Sequence, residues 1–99
     1  MPDYVRVATF EADDAAIDAM VQEISSAPGP PPDVAGKSIV VLADRAAGIA
    51  RIVVRFGSQD DLEKGSAALD AMSPPEAASM RRVSVEKFEV LLRLAGWQG

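Results

Sequence analysis

Five charged side chains stand out within β-rich runs: Arg6 in YVRVATF, Arg51 and Arg55 in IARIVVRF, and Arg82 and Glu86 in RRVSVEKFEV. Taking a charge out of water is costly without a partner, so these positions are either ion-paired or kept ready for a ligand. Paired with carboxylates, the arginines would tie together sheet ends or the seam between two subunits. Left open, their guanidinium forks would clamp a small acidic ligand. Burial would raise the pKa of Glu86 and make it a general base, and Tyr4, the only tyrosine, adds a phenolic hydroxyl. Glu86 and Tyr4 are therefore the catalytic candidates.

Much other chemistry is excluded by composition. The chain of 99 residues has no histidine, cysteine or asparagine. Disulfides, thiolate nucleophiles, Cys/His metal centres, histidine-ligated haem and a Ser-His-Asp triad are thereby removed. Asp13 with Asp14, and Asp60 with Asp61, are adjacent carboxylates where helices should start, and dipole complementarity accounts for them. A calcium loop needs more oxygens at other spacings, and no glycine-rich phosphate loop occurs. No metal and no organic cofactor is implied. Acidic residues outnumber basic ones 15 to 10, for a net charge of -5 and a pI near 4.5. Nucleic-acid binding is not expected from that balance, since phosphates are met by clustered Lys and Arg. No apolar run approaches the roughly 20 residues of a membrane span, and MPDYVRV has no signal-peptide pattern. These features lead to the expectation of a cytoplasmic protein with no membrane partner.

The patterns of the chain indicate which elements carry the candidates. Residues 4–10 alternate as a strand, with Val5, Val7 and Thr9 on one face and Tyr4, Arg6, Ala8 and Phe10 on the other. Asp13 or Asp14 caps a helix whose apolar face is Ile17, Met20, Val21 and Ile24, and which ends before Pro28. The segment APGPPPDVAG at 27–36 reads as a stiff surface connection. KSIVVLAD and IARIVVRF, joined by a short loop ending in Gly48, predict an antiparallel hairpin with Gly48 at positive φ. Ser58 followed by Asp61 opens a second helix with an apolar stripe of Leu62, Leu69 and Met72. Gly65, Ser66 and Ala68 lie within it and could leave a cavity against the sheet. Pro74 and Pro75 end that helix, and PEAASM could add a turn.

Residues 81–94 read as one long last strand. Val83 and Val85 share a face, whereas Phe88, Val90, Leu92 and Leu94 share the other, which predicts a change of buried parity between Val85 and Phe88. A bulge would produce it, and so would a strand that leaves its own sheet for a second subunit. Residues 95–99 read as a tail, with Trp97 either frayed or plugging a partner subunit.

The order β-α-β-β-α-β is α+β, the ferredoxin-like split βαβ arrangement, and residues 1–99 make one domain. Right-handed crossovers put both helices on one face of a four-stranded antiparallel sheet. The strands carry apolar residues at both parities, so the second face should be buried against another copy in a homodimer. In this order the first strand lies between the third and fourth, and Arg6 could approach Glu86 or another arginine.

The strand ending in Phe10-Glu11, the capped helix, the Pro-Gly connection, LADRAAG before a strand, and the closing VSVEKFEV together resemble the dimeric α+β barrel superfamily. The resemblance spans about residues 4–94 and is nearest to the antibiotic biosynthesis monooxygenase (ABM)-like group of small actinobacterial proteins. It implies two sheets paired face to face into a dimeric α/β barrel, with a ligand cleft between sheet and helices. It further implies a small-molecule-binding protein, extending to cofactor-independent monooxygenation of an aromatic, polyketide-like metabolite. The other reading is a non-catalytic ligand-binding or structural dimer. For a small apolar or acidic ligand, the contact residues expected are Arg6, Arg55, Phe56, Met20, Ile24 and Phe88. The first candidates for plain core are Met20, Ile24, Phe56, Leu62 and Phe88 again.

Overall fold

The computed structural model describes residues 3–72, 80–94 and 96. Its elements are β1 (Tyr4–Ala12), α1 (Asp14–Ser26), β2 (Gly36–Asp44), β3 (Ile49–Phe56), α2 (Gln59–Asp70) and β4 (Met80–Glu89). The four strands form one antiparallel sheet in the order β2-β3-β1-β4. This is the ferredoxin-like βαββαβ arrangement expected from the element order. The expected helical turn at PEAASM and the tail with Trp97 lie largely outside the described residues.

Local chemistry starts each helix where the sequence indicates. Asp13 is the cap of α1, its carboxylate accepting from the Ala16 N–H at 2.8 Å. Ser58 caps α2 by accepting from the Asp61 N–H at 3.1 Å, with Asp60 and Asp61 in the first turn against the positive end of the dipole. The β2–β3 hairpin closes with Gly48 at φ 69°. Arg45 in its turn reaches Asp14 and Asp18 of α1, so the hairpin and the helix start are tied together.

Strand alternation determines which residues meet the helices. The register aligns Tyr4 with Phe56, Arg6 with Val54, Ala8 with Ile52 and Phe10 with Ala50. These residues face α1 and α2. Beneath α1, Ala12, Ala16, Ile17, Met20 and Ala50 form one buried cluster, with Ile24, Val41, Ile52 and Met80 against it. Near α2, Val34, Val54, Phe56 and Leu62 form another, with Tyr4, Ile52, Ala68 and Leu69 packed on it. Ile52 belongs to both, and burial of each large side chain contributes about 1.5–3 kcal/mol.

Val21, expected on the apolar face of α1, is instead exposed, and three further details differ from the sequence expectation. The last strand ends at Glu89, and residues 90–94 run on outside the sheet. The parity change lies upstream of its expected place: Thr9 pairs with Ser84 and Phe10 with Arg82, leaving Val83 as the extra residue of a bulge. From Val85 onward the alternation is regular, so Val85 and Lys87 share the helix side while Glu86 and Phe88 share the other. Finally, Met72 does not join the stripe of α2, because it falls beyond the helix end and is exposed.

Candidate functional site

The strands divide the candidate residues between two faces. Tyr4, Arg6 and Phe56 lie on the helix side, where α1 adds Met20 and Ile24. Arg55, Glu86 and Phe88 lie on the open side, with Arg55 and Phe88 both aligned with Val5, and Glu86 with Val7. The sheet therefore separates the expected contact set into two groups.

On the helix side the central polar group is Arg6, only 4% exposed. Its Nε donates to Ser66 Oγ at 3.2 Å and its Nη2 to Asp70 Oδ1 at 2.6 Å. The register aligns Arg6 with Lys87 and places Glu86 on the opposite face, so the anticipated approach to Glu86 is not made. Asp70 is half exposed and also lies 3.9 Å from Arg82, whose Nη2 donates to the Asp70 carbonyl oxygen. Arg6 thus links the sheet to the last turn of α2, with the outer carboxylate reaching water.

Ser66 and Asp70 were missed as partners of Arg6, although a signal for them existed. They stand four residues apart on α2, and Leu62 precedes Ser66 by the same interval, so all three share one helix face. A serine and an aspartate continuing a buried stripe indicate a polar group beneath the helix. The cavity anticipated near Gly65 is filled: the Phe56 ring lies where a Cβ on Gly65 would go. A wide, shallow surface depression instead separates the proline-rich connection from α2, lined by Asp33, Val34, Ala35, Asp61, Lys64, Ala67 and Ala68.

The open face is a lattice of four rows. Ser38, Arg55, Val5 and Phe88 form the first, and Val40, Val53, Val7 and Glu86 the second. Leu42, Arg51, Thr9 and Ser84 form the third, and Asp44, Ile49, Glu11 and Arg81 the fourth. Val40, Leu42 and Phe88 are each about half exposed. Arg51 Nε donates to Thr9 Oγ1 at 3.2 Å, so this arginine lies along its row. Arg55 donates from Nε to Ser38 Oγ and from Nη1 to Asp3 Oδ2 at 2.7 Å. Glu86 is exposed on this face, and no ion pair reaches it among the described residues. The burial that general-base chemistry would require is not provided by the described residues.

Two of the described residues have a displaced titration: Arg45, raised by its hydrogen bonds to Asp18 and Asp14, and Asp3. The hydrogen bond from Arg55 holds its carboxyl below the ordinary aspartate value; desolvation opposes this, and the charges of Arg55, Lys37 and Arg93 reinforce it. Among the described residues no cluster of carboxylates has the arrangement of a metal site, and no helix is long and apolar enough to cross a membrane.

No protein-family model matches the chain, and no curated protein matches it significantly. The fold itself is compatible with the dimeric α+β barrel superfamily.

Proposed function

We propose that the protein is a cytoplasmic, homodimeric, small-molecule-binding α+β barrel of the ABM-like kind, with the open sheet face packed on that of a second copy. The observation that supports it is the continuous apolar lattice of Val5, Val7, Val40, Leu42, Val53 and Phe88 on that face. A sheet with one helix layer leaves its second face to be covered, and large apolar patches mark interaction surfaces. Two-fold pairing covers such a face with itself. Leu91 and Leu92, 86% and 75% exposed, extend the apolar surface beyond β4.

In this assembly Arg55, Glu86 and Phe88 belong to the seam. The ligand-facing set is then Tyr4, Arg6, Met20, Ile24 and Phe56 in the layer between sheet and helices. Arg6 is the polar anchor, because a ligand carboxylate can take the place of the half-exposed Asp70 on its guanidinium. The ligand class is a small acidic molecule with an apolar body. The reaction implied by the resemblance is cofactor-independent monooxygenation of an aromatic, polyketide-like metabolite. A second reading, a non-catalytic ligand-binding or structural dimer, is favoured by the packing of Phe56 on Gly65, which fills the layer near α2.

Sedimentation velocity at micromolar concentration tests the assembly. The expected mass is twice the 10.4 kDa of one chain, and a stable folded monomer would overturn the barrel. Oxygen uptake with hydroxylated anthracyclic or naphthol-like compounds, read beside ligand-induced melting shifts, then tests the site. Uptake supports the enzyme, and a melting shift without uptake supports the second reading. The absence of both removes ligand binding by that class.

A further inference from the structure

The acidic chain has one corner with the opposite balance. Around the Asp3 carboxylate stand three cations from three separate parts of the fold: Arg55 at 2.7 Å, with Lys37 and Arg93 each at 3.9 Å. One carboxylate against three cations leaves a surplus of two positive charges, in a protein of net charge -5. Among the described residues, neither Lys37 nor Arg93 has another carboxylate within ion-pair distance.

The cations are positioned independently of each other. Arg55 is oriented by its Nε bond to Ser38 Oγ at 3.1 Å. Lys37 is the extra residue where the β2–β3 register shifts between Gly36 and Ser38, and its side chain passes over Gly57, occupying the space of a Cβ there. The Val90 N–H donates to the Asp3 carbonyl oxygen at 2.8 Å, which sets the course of the chain towards Arg93. Asp3 itself is only 18% exposed, whereas Lys37 and Arg93 are largely open to solvent. The carboxylate therefore lies at the base of the cluster and spare N–H donors stand outside it. Holding three like charges around one counter-charge is unfavourable unless an anion joins them.

We infer that Lys37, Arg55 and Arg93 form a binding site for a small doubly charged oxyanion at the Asp3 end of the sheet. Guanidinium and ammonium donors suit phosphate and carboxylate oxygens alike, through charge-assisted hydrogen bonds. The site is separate from the Arg6 layer; it shares Arg55 with the seam proposed above, while its two solvent-facing cations, Lys37 and Arg93, do not depend on that assembly. Asp3 acts here as a brake on affinity, since its charge offsets one of the three cations.

The test is a phosphate titration of the full chain, followed by ¹⁵N–¹H correlation spectra at constant ionic strength maintained with sodium chloride. Saturable shifts are expected at Lys37, Ser38, Arg55, Gly57 and Arg93, with half-saturation at about 1–10 mM phosphate. Arg93→Gln and Lys37→Gln should each weaken binding about three- to fivefold, as for loss of one exposed charge. Asp3→Asn should tighten it by a similar factor, an effect that a purely structural ion-pair network would not produce. Citrate in place of phosphate separates a carboxylate preference from a phosphate one, and saturable binding of either supports the site. Shifts that do not saturate, that sodium chloride reproduces, or that survive the double variant Lys37→Gln/Arg93→Gln would overturn it. Both cation variants alter largely exposed side chains, so the test remains usable if Asp3→Asn is too unstable to measure.

Discussion

The ring of Phe56, at the end of β3, occupies the space that a side chain on Gly65 of α2 would need. Both residues are buried, and Phe56 is among the largest fully enclosed side chains. The close approach brings α2 down onto the sheet and fills the layer where the small helix residues would otherwise leave a cavity.

Gly65→Ala should therefore destabilise the protein despite the better helix propensity of alanine. Propensity favours alanine by about 1 kcal/mol, whereas overpacking a tight core costs about 1–3 kcal/mol. A net loss of up to about 2 kcal/mol should lower the melting temperature by several degrees in a domain of this size. Phe56→Leu should relieve the clash, so the double variant should lose less than the sum of the single losses. Thermal and urea unfolding of the four proteins measures this, and a stabilised Gly65→Ala would refute the close approach.

Arg6 and Asp70 give an asymmetric pair of truncations. Asp70→Ala leaves a buried guanidinium with Ser66 as its remaining side-chain partner. That should cost about 1–3 kcal/mol, at the lower end for a buried pair because Asp70 is half exposed. Arg6→Met removes the buried charge and retains much of the packing, while Asp70 remains in contact with water. Its cost should be smaller, and Asp70→Ala added to Arg6→Met should be nearly neutral. A double-mutant cycle in urea tests the coupling; additive losses would mean the pair contributes nothing.

The two faces of the sheet show what could be read in advance. Alternation in residues 4–10 and 49–56 placed Tyr4, Arg6, Ala8 and Phe10 together, and Ala50, Ile52, Val54 and Phe56 together, because side chains of a paired strand must alternate. Gly48 was legible because a short hairpin turn demands a residue at positive φ. Which face meets the helices was not legible, since Val5, Val7 and Val53 are as apolar as their neighbours. The bulge at Val83 was misplaced because Val83 and Val85 suggest a common face that the pairing with β1 does not keep. Phe88 was expected with Phe56 and Met20, yet it lies on the opposite side of the sheet, so hydrophobicity alone did not assign it. The partners of Arg6 depend on the rotation of α2, which is set by contacts distant in sequence.

The Asp3 cluster should be visible in the pH dependence of stability. Arg55 foremost, then Lys37 and Arg93, favour the ionised carboxylate in the native state, so the native pKa lies below the unfolded one. At acid pH the unfolded chain then binds the Asp3 proton first. The stabilisation from this carboxylate is complete above its unfolded pKa of about 3.9 and is lost as pH falls through the lower native value. Asp3→Asn should be less stable than the parent at pH 6, with the difference shrinking below about pH 4. Urea midpoints between pH 2 and pH 6 check this, and a gap independent of pH would show that the charge of Asp3 is not what stabilises.

Val53 and Ile52 are adjacent in β3 and distinguish the two sides of the sheet. Ile52 joins the clusters beneath both helices, whereas Val53 lies in the open-face row with Val40 and Val7. A glutamate at either position puts a charge among apolar side chains, but for different reasons. Ile52→Glu breaks the core of a single chain and should unfold it at any concentration. Val53→Glu faces outward in a lone chain, so it should be tolerated unless that face is covered. With the face covered in a homodimer, Val53→Glu would bury an unpaired carboxylate in each of two copies, and the exposed apolar lattice would not sustain a soluble monomer. The expected result is loss of the dimer in sedimentation together with loss of the cooperative melting transition. Val21→Glu, at an exposed position on α1, should leave both unchanged. A Val53→Glu protein with parental melting and parental mass would place the subunit contact elsewhere on the molecule.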